Sequence, residues 1–328
     1  MITRRKLSLL VMAIIAAAAL AGCGSGHASA TKPRAVSLVL DFTPNAVHTG
    51  IYTAIARGYD RAEGIDLHVI VPSASTDAIR LLETGRADFA ILDIHDLAIA
   101  RERGQSIAGI LPIVERPLAA VIAQPTFRDP AQLQGQTVGV SGDPSDIAVL
   151  DSVVRGSGAN PAKVKTITIG FDAVADLLAG RVAAATAFWN DEGVTLQRRQ
   201  PGFHVFRVDD YGAPSYPELV VCASDAFLHA HSDLARALVR TLTRGYNAVI
   251  QNPKVGEHAL ESQVQGLDPT LVAAELAKLE PVFTGPEHHF GVLDVALLRR
   301  WAVWERRFGI VTRTPDIATM FDTAFAPR

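Results

Sequence analysis

Short apolar runs alternate with helically spaced segments along most of this chain, and that alternation restricts the fold more than any other feature. Residues 35–41 (AVSLVLD) have the length and content of a buried strand. Residues 49–58 (TGIYTAIARG) carry apolar positions at helical spacing and stop at Gly58. Residues 66–71 (DLHVIV) return to a strand pattern. Residues 75–87 (STDAIRLLETGRA) open on Ser, Thr and Asp suited to a helix cap and turn at Gly85. Residues 88–93 (DFAILD) are again strand-like. A β-α-β-α-β order predicts a parallel sheet with helices on its faces.

The pattern then repeats. Runs at 107–114 and 118–124 read as further strands, and 125–136 (PTFRDPAQLQGQ) is a Pro-containing polar connection. A second series follows, with strands at 137–142, 164–170 and 183–189 and helices near 146–155 and 172–179. Beyond 211–224 the spacing is almost wholly helical, with candidates at 225–231, 232–251, 254–264, 269–281 and 292–308. A length of 328 residues at 48% hydrophobic content exceeds what one core usually supports. The expected fold class is α/β in two lobes, each a mostly parallel sheet flanked by helices, with a ligand cleft between them. The first lobe is expected to take 35–124 and the second 125–218. The chain would leave the first lobe near Ala123–Pro125 and return near Pro217–Cys222, so that 219–328 packs back on it. Ligands of open α/β sheets bind beyond the carboxyl ends of the strands.

The first residues stand apart from this pattern. Arg4, Arg5 and Lys6 precede an apolar run from Leu7 to Leu20, which is shorter than the roughly 20 residues that span a bilayer. This is the layout of a secretory signal at 1–22. Leu20-Ala21-Gly22-Cys23 resembles the bacterial lipobox, so Cys23 is the expected lipidation site, and 23–34 reads as a flexible tether. The expected location is extracytoplasmic, with the lipid on Cys23 anchoring the protein to the membrane. Loss of 1–22 removes three positive charges and no negative one, taking the net charge from −3 to −6. No basic face for nucleic acid is visible. Cys222, in PELVVCASD, is left as a small buried residue, and no Cys/His zinc spacing occurs.

One connection is chemically richer than a turn requires. In LDFTPNAVHTGIYTAIARGY (40–59) the first strand runs into Asp41, Thr43, Pro44, Asn45 and His48 before the helix begins. Read from chemistry alone, Asn45 or Thr49 could cap the helix and His48 could be incidental. The longer stretch DFTPNAVHTGIYTAIARGYDRAEGIDL resembles the signature of the thiamine-pyrimidine-precursor family of substrate-binding proteins, the extracytoplasmic receptors of ABC importers. The residues that carry it are Phe42, Thr43, Pro44, Asn45, His48, Thr49, Gly50, Gly58, Tyr59, Glu63, Gly64, Ile65 and Asp66. GRADFAI (85–91), FWNDEG (188–193) and VDDYGAPSYPELV (208–220) add to it, and the likeness runs over about 36–310. This chain has Phe42 where the pyrimidine receptors usually carry Trp.

The resemblance implies a binding protein rather than an enzyme, with no cofactor and no metal. It implies capture of a thiamine-precursor pyrimidine, of hydroxymethyl or formylamino type, by closure of the lobes, and delivery to an ABC permease. The same fold serves receptors for riboflavin, sulfonates and nitrate, and the eukaryotic pyrimidine synthase is kin. That synthase uses a cysteine-rich motif, which is missing here, and no Gly-x-Ser-x-Gly elbow is present. The protein is expected to act as a monomer.

A flat amino-substituted heterocycle calls for an aromatic face, a carboxylate that accepts from N–H groups, and neutral donors. The expected ligand contacts are Asp41, Phe42, Asn45, His48, Asp96, Trp189, Asp191, Glu192 and Tyr216. Each has a plainer reading. Asp41 could accept helix N–H groups, Asp93 or Asp96 could cap the helix at 94–103, and Trp189 could simply pack. Glu192 also suits a helix N-terminus. The turn SGDPSDIA (141–148) reads first as a helix cap and is not a phosphate loop. Adjacent histidines such as His288 and His289 point apart, which argues against a metal pair. Trp301 and Trp304, with Leu297 and Phe308, form a core-facing stripe.

Overall fold

The structure is a computed structural model that describes residues 32–74, 76–285 and 289–327. The expected signal segment 1–22, the expected lipidation site Cys23, most of the expected tether and His288 lie outside the described residues.

Two five-stranded sheets form two lobes. The first contains β1 (Arg34–Val39), β2 (Ile65–Ile70), β3 (Phe89–Asp93), β4 (Ile107–Pro112) and β10 (Leu219–Ser224), in the order β2-β1-β3-β10-β4. The second contains β5 (Ala119–Ala123), β6 (Thr137–Val140), β7 (Lys165–Thr168), β8 (Ala184–Phe188) and β9 (His204–Arg207), in the order β7-β6-β8-β5-β9. β1 pairs in parallel with β2 and β3, and β6 with β7 and β8. β10 runs antiparallel to β3 and β4, and β5 antiparallel to β8 and β9. Each sheet thus has a single reversed strand, and in each it is the first strand after the chain changes lobes.

The strand sequences match this burial. β4 and β5 are buried along their whole length and β3 along all but its last residue. Strands covered on both faces read as continuous apolar runs rather than as alternation. That is also why the first lobe boundary differs from the expectation. The sequence pattern places the run at 118–124 in the first lobe, but β5 belongs to the second sheet, in register from Ala119 opposite Phe188 to Ala123 opposite Ala184. The chain therefore crosses at 113–118, not near Ala123–Pro125. A strand apolar on both faces fits the interior of either sheet, so its pattern does not name its partner.

The C-terminal helices pack on the first lobe. Helix Ser232–Gln251 lies against helix Thr49–Ala56 at a pair of glycines. A Cβ on Gly50 would sit 2.3 Å from Tyr246 Cγ, and one on Gly245 would sit 2.0 Å from the Gly50 carbonyl oxygen. Tyr246 Oη donates to the Val47 carbonyl at 2.8 Å. Gly50 is therefore fixed by close helix packing. In helix Val295–Phe308, Trp301 and Trp304 are buried, and Leu298 rather than Leu297 completes their stripe.

Candidate functional site

The carboxyl ends of the parallel strands of both sheets face one cavity between the lobes. From the first lobe Asp41, Phe42, Asp93 and Asp96 line it; from the second come Ser141, Asp143, Ser145, Asp146, Phe171, Thr186, Phe188 and Glu192. Its described lining contains six carboxylates and no Lys, Arg or His.

On the first wall the opening motif is bonded to itself. Asn45 Oδ1 accepts from the Val47 N–H at 2.9 Å, and the Asn45 N–H donates to His48 Nδ1 at 3.2 Å. Nδ1 is therefore an acceptor, which leaves the ring proton on Nε2. That nitrogen lies 2.9 Å from Asp41 Oδ1 and donates to it. His48 and Asn45 are buried behind Asp41 and orient it; they do not line the cavity themselves. Asp93 caps helix Ile94–Glu102 by accepting from the His95 N–H at 2.7 Å. Asp96, one turn on, accepts from the Ser145 N–H of the other lobe at 3.0 Å.

On the second wall, Asp146 closes the 141–145 turn. Its Oδ2 accepts from Ser141 Oγ at 2.8 Å, the Gly142 N–H at 2.8 Å and the Asp143 N–H at 3.1 Å, and its Oδ1 from Thr186 Oγ1 at 2.9 Å. The Gly142 and Asp143 N–H groups of this turn are thus occupied from within it, and the Ser145 N–H from across the cleft. Glu192 Oε2 accepts from the Phe188 N–H at 3.0 Å. Burial, and then the neighbouring Asp191, push the Glu192 carboxyl up to about 8. Asp96 is also held well above the usual carboxylate range, by burial and then by Asp143 and Asp93. Phe42 and Phe171 meet edge to face from opposite lobes, with ring centroids 4.5 Å apart at 72°.

Of the residues expected to contact ligand, the structure brings Asp41, Phe42, Asp96 and Glu192 to the cavity. Asp191 stands just behind, turned to the first lobe. Burial raises its carboxyl to about 6, as does Asp41, against the pull of His48 and a hydrogen bond with Asn45. Trp189 and Tyr216 are placed elsewhere. The Trp189 indole donates to the Pro117 carbonyl at 2.8 Å, and the Arg207 guanidinium lies 4.4 Å over its ring. Tyr216 is fully buried with its hydroxyl 2.9 Å from His95 Nε2. Trp189 satisfies its polar end on the first segment joining the lobes, and Tyr216, itself on the second, on His95 of helix Ile94–Glu102, which removes the need for a cleft partner. Sequence reasoning missed Phe171, Asp143, Asp146 and Thr186. Phe171 follows β7 as Phe42 follows β1, at a carboxyl strand end, and that position was the available signal.

Asp93, His95 and Glu218 offer potential metal-ligating atoms within 4.8 Å of one another. The imidazole is already spent. Nδ1 is paired with Glu305 and Nε2 with Tyr216. Burial opposes the charge, but Glu305 and Asp93 hold His95 up to about 9, so it is an imidazolium with no lone pair for a metal.

Residues 45–255 match the NMT1/THI5-like family. The formylaminopyrimidine-binding protein of Halalkalibacterium halodurans is 32% identical over 252 residues, 76% of each chain. The 4-amino-5-hydroxymethyl-2-methylpyrimidine phosphate synthase THI5 of Saccharomyces cerevisiae is 20% identical over 232 residues, 66% of this chain and 68% of that one. Among solved structures, the alkanesulfonate-binding protein SsuA from Xanthomonas axonopodis pv. citri superposes with a TM-score of 0.69 at 15% identity, covering 89% of this chain and 99% of the other.

Proposed function

The chain belongs to the NMT1/THI5-like family, and from that premise we propose that it captures a thiamine-precursor pyrimidine of formylamino or hydroxymethyl type for an ABC importer. The observation that carries this reading is the make-up of the cleft: among the described residues its lining holds six carboxyl groups, no basic side chain, and two phenyl rings from opposite lobes. An amino-substituted ring supplies N–H donors to carboxylates and a flat face to aromatic edges. A sulfonate or nitrate would enter a field of its own sign with no cation to meet it.

The acids divide by protonation. Glu192, pushed up to about 8, keeps its proton at neutral pH and can donate to a ring nitrogen. Asp41, oriented by His48, accepts from an exocyclic amine. Ligand touching both walls at once favours the closed arrangement in which Asp96 meets Ser145, and that differential contact shifts the lobe equilibrium. No bond in the ligand is broken. The described cysteine, Cys222, is buried in β10 with its thiol pushed up by burial, away from the cavity lining. This favours binding over the synthase chemistry named for the yeast relative.

A signal peptide at 1–22, a lipid on Cys23, an extracytoplasmic location, a permease partner and a monomeric receptor complete the proposal. Among the described residues no helix is long and apolar enough to cross a membrane.

Equilibrium dialysis of the purified protein against a formylaminopyrimidine, with mass spectrometry of what is retained, tests it. Retention of one intact molecule per chain is the expected result. No retention overturns the ligand assignment, and a converted product overturns the non-enzymatic one.

A further inference from the structure

Two segments join the lobes, residues 113–118 and 208–218. Glu218 ends the second segment and is fully buried. Its Oε2 accepts from the N–H groups of Leu118 and Ala119, the latter at 2.7 Å, which are the last residue of the first segment and the first of β5. One carboxylate therefore holds both crossings together where a hinge must bend. The other oxygen, Oε1, is buried and receives no N–H or hydroxyl among the described residues. It faces Asp93, on the cavity wall, and His95, whose Nε2 is 3.9 Å away.

Two carboxylates facing each other in a buried place cannot both stay ionised without a donor between them. The surroundings supply none to spare. The His95 charge is paired with Glu305 of helix Val295–Phe308, and Asp96 on the same helix as His95 is a further acid. Asp209 and Tyr216 of the second crossing face Glu218 without donating to it, and Asp143 and Asp146 of the second lobe add negative charge beside Asp96.

We propose that Asp93 and Glu218 share one proton, and that the resulting carboxyl pair positions the two crossings against the wall of the cleft. The Asp93 hydroxyl donates to Glu218 Oε1, and Glu218 stays anionic and grips the Leu118 and Ala119 N–H groups with Oε2. Burial and the Glu218 charge hold Asp93 well above the usual carboxylate range, and burial raises Glu218 to about 7, in keeping with a retained proton. Loss of the proton sets two carboxylates against each other, and Glu218 is pushed off the first crossing.

Difference infrared spectroscopy across pH 5 to 10 on the full chain, together with hydrogen exchange at the Leu118 and Ala119 amides, tests this without any ligand. The wild type is expected to show, besides the bands of Glu192 and Glu275, a protonated-carboxyl band that persists through neutral pH and is absent from both Asp93→Asn and Glu218→Gln. Protection of the two amides should drop about tenfold as that band titrates away, and stay level in Asp93→Asn, whose amide donates to Oε1 at every pH. If Glu218→Gln does not fold, Asp93→Asn carries the test alone. A band unchanged in Asp93→Asn, or wild-type protection level across the range, overturns the proposal.

Discussion

Asp96 of the first lobe accepts a hydrogen bond from the Ser145 N–H of the second at 3.0 Å. The bond joins a helix that follows β3 to the turn that follows β6, directly across the cavity both residues line. Substitution Asp96→Ala removes an acceptor that exists only between the lobes. A hydrogen bond contributes about 0.5–1.5 kcal/mol net, so ligand affinity should fall roughly 2- to 13-fold. Titration calorimetry checks this; unchanged affinity in the folded variant would mean that the contact plays no part in closure.

Phe42 and Phe171 form the second tie across the cleft. Aromatic pairs contribute about 0.5–1.5 kcal/mol beyond their area. A double-mutant cycle of Phe42→Ala and Phe171→Ala, read on ligand affinity, should show coupling of about that size. Additive losses would show that the rings act independently.

Gly50 has a stability role separable from binding. A methyl group there meets the Tyr246 ring at 2.3 Å and must push two helices apart. Gly50→Ala is expected to cost about 1–3 kcal/mol in denaturant unfolding, the range for overpacking a core. Stability equal to the wild type would mean that the helices have room to move.

Stability should fall on the alkaline side. Burial, and then Asp191, raise Glu275 from its ordinary 4.5 to about 9. The folded chain therefore holds a proton that the unfolded chain has lost, so the contribution is complete below 4.5 and disappears as pH rises through about 9. Glu275 Oε2 also accepts from the Ala46 N–H at 3.4 Å, a role a glutamine oxygen can fill. Between pH 6 and 9.5, Glu275→Gln should lose less stability than the wild type, by at least about 1.4 kcal/mol, the equivalent of one pKa unit. Equal losses in urea titrations would contradict the assignment.

Much of this was legible in the sequence, for physical reasons. β3, β6 and β8 announce themselves as short apolar runs between turns, and their carboxyl ends carry Asp93, Ser141 and Phe188 to the cavity. The motif at 41–50 marks a strand end whose polar groups exceed what a turn needs. Its internal order was not readable, because His48 behind Asp41 and His48 beside a ligand leave the same sequence. Trp189 and Tyr216 follow strand ends or crossings as a ligand contact would, and only the carbonyl of Pro117 and the ring of His95 show where their polar atoms go. The lobe of β5 was hidden because AAVIA is apolar on both faces.

An acidic, aromatic cleft is expected to take an amine-bearing pyrimidine and to refuse anions. Titration calorimetry of one protein preparation with a formylaminopyrimidine, taurine and nitrate tests it most directly. Saturable one-to-one heat with the pyrimidine and none with either anion is the expected result. Binding of taurine or nitrate, with no heat from the pyrimidine, would contradict it.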